Sequence, residues 1–232
     1  MSAGIIPDQP NSHLLELTMS AFRLARESAA ATAEGLATTS ASTLRVVRTR
    51  EQELDSLDRD IDDLVTSTIS RVTEHEAREL LACMKFIISL ERIGDLLLNV
   101  CNRAEAVAAK IDIADSTDLT TMATRLEKMI TDVEVAFRTR NLDLAVNVLR
   151  ADGEMDRLRN LVMFRHLEPG DRKLDSFHVL FMATELERAG DHAKNIAEEI
   201  CHLISGRTVR HVLRTYDRPV EQMFLDRMRE RF

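Results

Sequence analysis

Six residues of one short segment, Leu90, Glu91, Arg92, Gly94, Asp95 and Asn99, recur in order and spacing as Leu186, Glu187, Arg188, Gly190, Asp191 and Asn195. Such a match divides the chain into two copies of one structural unit. A weaker match lies upstream, where Glu51, Glu53, Leu54, Asp55 and Leu57 align with Asp152, Glu154, Met155, Asp156 and Leu158. The register differs by five residues between the two matches, which puts an insertion in the loop between the second and third helices of a unit.

Each unit reads as helical. Proline is absent between Pro10 and Pro169, and the whole chain has seven glycines, one Tyr and no Trp, a composition poor in turn and strand formers. Apolar spacing near 3.6 predicts a first helix over 13–33 and a second carrying Leu54, Leu57, Ile61, Leu64 and Val65. A third starts near Thr73 and Glu74 and runs through Leu80, Met84, Ile87 and Ile88 towards Ala109. After a polar stretch at 112–118 the pattern resumes with Met122, Leu126, Met129, Ile130 and Val133, and breaks near Asn141. It returns through Leu144, Val148, Met155, Leu158 and Val162. Pro169 and Gly170 mark a loop before a sixth helix over about 171–204, which Gly206 stops. The expected fold is all-α, two tandem three-helix bundles over 11–112 and 113–206, followed by a short helical, basic tail at 207–232.

The 232 residues carry 31 Lys plus Arg against 39 Asp plus Glu, a formal charge of −8. That acidic balance argues against a nucleic-acid footprint, which needs concentrated basic surface. The longest stretch free of Asp, Glu, Lys and Arg is 35–44, well short of the roughly 18–20 apolar residues of a membrane span. The N-terminus lacks the basic start of a secretory signal, and three unclustered cysteines, Cys83, Cys101 and Cys201, suit a reducing compartment. A cytoplasmic protein is the expectation.

The acidic pairs Glu51/Asp55, Glu91/Asp95, Asp152/Asp156 and Glu187/Asp191 are each spaced i and i+4, so each lies on one helix face. Two such helices side by side bring four carboxylates together, and a cation relieves their repulsion. Oxygen donors without paired His or Cys select Mg, Mn or oxidised Fe, with Zn ligation also available. Along the third helix Glu91 and Asp95 share the sector of Met84, Ile87 and Ile88, which is expected to face neighbouring helices. Gly94 and Gly190 stand in mid-helix, where each costs around 1 kcal/mol relative to Ala, so a close approach at that point is expected. Arg92 and Arg188 are placed to orient or partly neutralise the same clusters.

A ferritin-like di-iron site needs Glu-x-x-His on two helices, and only Glu199 and His202 have that spacing. The chain has no G-x-x-x-x-G-K loop, no G-x-S-x-G elbow and no C-x-x-C pair, so no catalytic apparatus is visible. The tail after Gly206 carries seven arginines against four carboxylates, interleaved with Val209, Val212, Leu213, Met223, Phe224 and Leu225. It suits docking on an acidic partner or membrane surface, or a short helix capping the second bundle.

The duplicated Leu-Glu-Arg-x-Gly-Asp segments, each followed by Asn99 or Asn195, resemble the signature of the PhoU family of phosphate-uptake regulators. The resemblance extends over most of the chain and implies tandem three-helix bundles that bind multinuclear iron or zinc clusters or other divalent ions. By that resemblance Glu51, Asp55, Glu91 and Asp95 form one site and Asp152, Asp156, Glu187 and Asp191 the other. Asn99 and Asn195, with Arg92 and Arg188, stand around them. It further implies a non-enzymatic, often homodimeric, negative regulator linking the ATPase of the phosphate-specific ABC transporter to a sensor histidine kinase. Membrane association is then peripheral, through those partners. Ser89 stands where the second copy has Glu185, which implies a first cluster poorer in ligands, and the tail is longer than the pattern leads one to expect. The alternatives are a regulator of the same fold serving another cation or phosphate transporter, and a hydrolase using carboxylate-bound metal to activate water.

Overall fold

The computed structural model describes residues 10–107, 111–166 and 174–206. The expected loop at Pro169 and Gly170, the start of the sixth helix at Asp171 and the basic tail at 207–232 lie outside the described residues. Those that are described form six long helices: α1 (Pro10–Thr38), α2 (Ala41–Thr68), α3 (Glu74–Val107), α4 (Ile113–Thr139), α5 (Leu142–His166) and α6 (Leu174–Ser205). A single 3-10 turn, Ile69–Arg71, follows α2. Among the described residues no helix is long and apolar enough to cross a membrane.

Local chemistry sets the helix ends. Thr39 takes a positive φ of 54° and breaks the chain after α1, five residues later than the apolar pattern alone indicates. Ser40 then caps α2 by accepting from the Thr43 amide. Thr73 and Glu76 form a reciprocal capping box at the start of α3: the Thr73 amide donates to Glu76 and the Glu76 amide to the Thr73 hydroxyl. Asp112 caps α4 through the Asp115 amide, so most of the polar stretch at 112–118 is the first helical turns and not a linker. Arg140 ends α4 in the left-handed region, and Asn141 accepts from the Leu144 amide to begin α5. Gly206, at φ 67°, follows α6 and returns its amide to the His202 carbonyl.

Within each unit the middle helix packs on both of its neighbours, α2 on α1 and α3, α5 on α4 and α6. The units meet along α1 against α4 and α3 against α6, leaving α2 and α5 on opposite outer sides. Ion pairs from Lys85 to Glu199 and from Arg103 to Glu185 fix α3 and α6 as antiparallel, the relation expected of two copies about a pseudo-twofold axis. One continuous hydrophobic core runs through both units. At its centre Phe86 of α3 stacks edge-on against Phe137 of α4, with centroids 5.0 Å apart, and Phe22 of α1 lies 5.9 Å from Phe86. The three cysteines are buried, and burial pushes the thiols up to about 11 for Cys83 and about 12 for Cys101 and Cys201. They behave as small core side chains with negligible thiolate at neutral pH.

An ion network ties the start of α4 to the end of α5. Asp115, only 2% exposed, accepts from Arg165 and lies 2.8 Å from His166 Nε2, while Arg165 also reaches Asp118 at 2.6 Å.

Candidate functional site

The seam between α2 and α3 is set by Gly94. A Cβ there would lie 2.9 Å from Leu54 Cδ1 and 3.9 Å from the Glu51 Cα, so the bare backbone lets α2 come close. The second copy repeats the device, with Gly190 facing Met155 Cγ at 3.2 Å from where its Cβ would be. Gly94→Val therefore forces the α2/α3 seam apart and is expected to destabilise the protein by about 1–3 kcal/mol, read as a lowered thermal midpoint.

Close approach brings the expected carboxylates together in both copies. In the first, Glu51 lies within electrostatic range of Asp55 and Asp95, and Glu91 within range of Asp95, Asp55 and Asp58. Glu51 and Glu91 are both raised above the ordinary carboxylate range, first by burial and then by these like charges. Arg92 opposes this from 3.4 Å to Glu91 and 3.3 Å to Asp95, as its place in the sequence implied. Asp58 joins the cluster unforeseen. It is also raised, by burial and by Asp62 and Asp55, against Arg59 and Arg92.

In the second copy Asp152, Asp156, Glu187 and Asp191 converge similarly, but with cations among them. Lys194 of α6 bonds Asp152 across the seam and stands 3.8 Å from Asp191. Arg159 of α5 lies 3.4 Å from both Asp156 and Glu187. Burial raises Asp152 despite Lys194. Glu187 is pushed up to about 7, by burial above all, with Arg159 opposing and a hydrogen bond to Asp156 and the Asp191 charge adding to the rise.

Three expectations are corrected. Arg188 is exposed, and its charge bears on Glu185 and His192; Arg159 and Lys194 neutralise the second cluster instead. Glu185 turns away from that cluster to pair with Arg103 at 3.3 Å, so the Ser89 difference affects the α3/α6 contact and does not remove a ligand from the first cluster. Ile88 is 47% exposed, whereas Ile87 is buried as expected, so the sector of Glu91 and Asp95 lies at the edge of the packed face. Asn99 and Asn195 are exposed, one turn beyond Asp95 and Asp191.

The sequence signals for the missed residues are faint. Continuing the upstream repeat by one residue pairs Asp58 with Arg159, and the downstream repeat pairs Leu98 with Lys194. Both are departures from the duplication, where motif reading looks for identities. The donor set suits a hard or borderline cation: all oxygen, crowded and partly desolvated. Among the described residues no three His, Cys, Asp or Glu side chains stand ready to hold an ion, so metal uptake requires the carboxylates to turn inward.

Comparison with known proteins places this geometry in a family. A family model described as the PhoU domain matches residues 18–104 and 119–200, once for each copy. Similar proteins include the phosphate-specific transport system accessory protein PhoU homolog of Pseudomonas aeruginosa, 29% identical over 175 residues and 72% of each chain. The PhoU homolog 1 of Thermotoga maritima is 28% identical over 188 residues, 78% of this chain and 81% of that one. The crystal structure of PhoU from Pseudomonas aeruginosa superposes with a TM-score of 0.79 at 21% identity, covering 85% of this chain and 98% of that one. The phosphate transport system regulatory protein PhoU from Streptococcus pneumoniae gives 0.77 at 17% identity, over 86% and 97%. These structures share the fold.

Proposed function

The chain belongs to the PhoU family, and from that membership we propose that it is a non-enzymatic accessory regulator of phosphate uptake. Similar proteins bear the name of phosphate-specific transport system accessory proteins, which supports the transport assignment. In this reading it works in the cytoplasm as a homodimer, contacting the ATPase of a phosphate-specific ABC transporter and a sensor histidine kinase. It restrains uptake and the phosphate-starvation response when phosphate is plentiful. Contact with the membrane is through these partners, and nucleic acid is not bound directly.

The observation that carries the reading is the pairing of carboxylates at the α2/α3 seam and again at the α5/α6 seam, at the places where Gly94 and Gly190 draw the helices together. Glu51, Asp55, Glu91 and Asp95 would hold one metal group, and Asp152, Asp156, Glu187 and Asp191 offer the corresponding donors in the second copy, where Lys194 and Arg159 already pair with them. Iron or zinc clusters are proposed, with manganese or magnesium as alternatives of the same donor chemistry. Bound cations supply charge neutralisation that clamps one helix to the next. Arg92 orients Glu91 and Asp95 from outside, and Asn99 and Asn195 extend the polar strip by one turn along the exposed face.

Deleting the gene in its phosphate-replete host is expected to switch on phosphate-starvation transcripts, and restoring it to silence them. Unchanged transcripts in the deletion strain would contradict the regulatory role.

A further inference from the structure

The two copies differ at several aligned positions, and two of the differences change charge at the carboxylate clusters. Arg159 in the second copy stands where the first has Asp58, and Lys194 where the first has Leu98. The two clusters therefore differ in charge although their principal carboxylates correspond one to one. The first gathers Glu51, Asp55, Asp58, Glu91 and Asp95, faced by Arg92 and, at the edge, Arg59. The second gathers Asp152, Asp156, Glu187 and Asp191, with the Lys194 ammonium bonded to Asp152 and near Asp191, and the Arg159 guanidinium between Asp156 and Glu187.

Each of the second cluster's four carboxylates is thus within 4 Å of a basic side chain carried by the cluster's own helices. These two cations bridge α5 to α6, Lys194 from α6 to Asp152 and Arg159 from α5 to Glu187. That is the same helix-to-helix link a metal would make. In the first copy Arg92 forms its close ion pairs with carboxylates of its own helix, Glu91 and Asp95, and bears on Asp58 of α2 from farther away. Glu51 and Asp55 face them across the seam with Leu98 at the position that Lys194 fills in the second copy. A divalent ion entering the second cluster must expel two half-buried cations from pairs that link the helices; one entering the first, where five carboxylates outnumber Arg92 and Arg59, displaces no cation that bridges Glu51 or Asp55 to α3.

We infer that Lys194 and Arg159 are built-in counter-ions that close the second cluster to metal, so that the two copies divide the work: the first takes up cations and the second is a permanent salt-bridge clamp. This rests on the reading of the clusters as metal sites. The second cluster is then expected to bind zinc roughly a hundredfold or more weakly than the first.

Zinc uptake by equilibrium dialysis tests this on the full chain, with folding followed by circular dichroism. The wild type holds zinc. Asp58→Arg with Leu98→Lys, which gives the first cluster the cations of the second, abolishes that uptake. Arg159→Asp with Lys194→Leu opens the second cluster and brings the bound zinc to about twice the wild-type amount. Zinc-edge anomalous scattering from crystals of the unsubstituted protein provides a check that needs no variant to fold, with density expected among Glu51, Asp55, Glu91 and Asp95 and none at the second cluster. Zinc at both clusters of the wild type overturns the inference while leaving the metal reading intact. Absence of zinc from the wild type and every folded variant overturns the metal reading and this inference with it.

Discussion

Phe86→Ala is expected to destabilise the protein by about 3–5 kcal/mol, the usual range for truncating a fully buried aromatic ring. The ring is completely buried on α3, and it contacts Phe22 of α1 and Phe137 of α4, so the void opens where the two copies meet and neither can close it alone. At roughly 2–4 °C per kcal/mol for a chain of this size, the thermal midpoint falls by about 10 °C. Phe86→Leu, which leaves part of the volume filled, is expected to lose less than half as much. A midpoint unchanged by the alanine would mean that the copies do not depend on a shared core.

Asp115→Ala is expected to be comparably severe although it removes a polar side chain. The carboxylate is buried and receives Arg165 on one oxygen and His166 on the other, joining the first turn of α4 to the last of α5. Breaking a buried pair by removing one member costs about 3–5 kcal/mol, because the remaining group keeps its desolvation without its partner. Arg165 retains Asp118, while the tie from the first turn of α4 to the buried His166, whose side chain is 6% exposed, is lost. Asp115→Asn keeps the shape and one acceptor and should recover part of the stability. A thermal midpoint for Asp115→Ala within a degree of wild type would show the network to be dispensable.

The two cases differ in how far the sequence reveals them. Apolar residues of the third helix recur at helical spacing, which announces a buried stripe, and the capping and stop residues at Gly206 and Asn141 are readable one turn at a time. The duplicated Leu-Glu-Arg-x-Gly-Asp segment with its following Asn gave away both the internal symmetry and the carboxylates, because identity at six fixed places is visible without structure. Asp115, by contrast, sits in a polar stretch that reads as a linker, and its partners lie some 50 residues away on another helix. Spacing says nothing about such a pair. Arg159 and Lys194 were hidden for a related reason: an alignment of repeats rewards sameness, and their effect comes from difference. Glu185 shows a finer limit, since two helical positions from Glu187 is enough rotation to turn a side chain to the α3 contact and out of the cluster.

The account rests on carboxylate-bound metal holding paired helices together. Elemental analysis of the purified, tag-free protein after dialysis, beside a variant carrying Glu91→Ala, Asp95→Ala, Glu187→Ala and Asp191→Ala, tests that claim most directly, with circular dichroism confirming that both are folded. Iron, zinc or manganese in the wild type that is absent from the folded variant is the predicted result. Equal and negligible metal in both would contradict it, reducing the carboxylates to packing and surface charge and leaving protein contact alone as the basis of regulation.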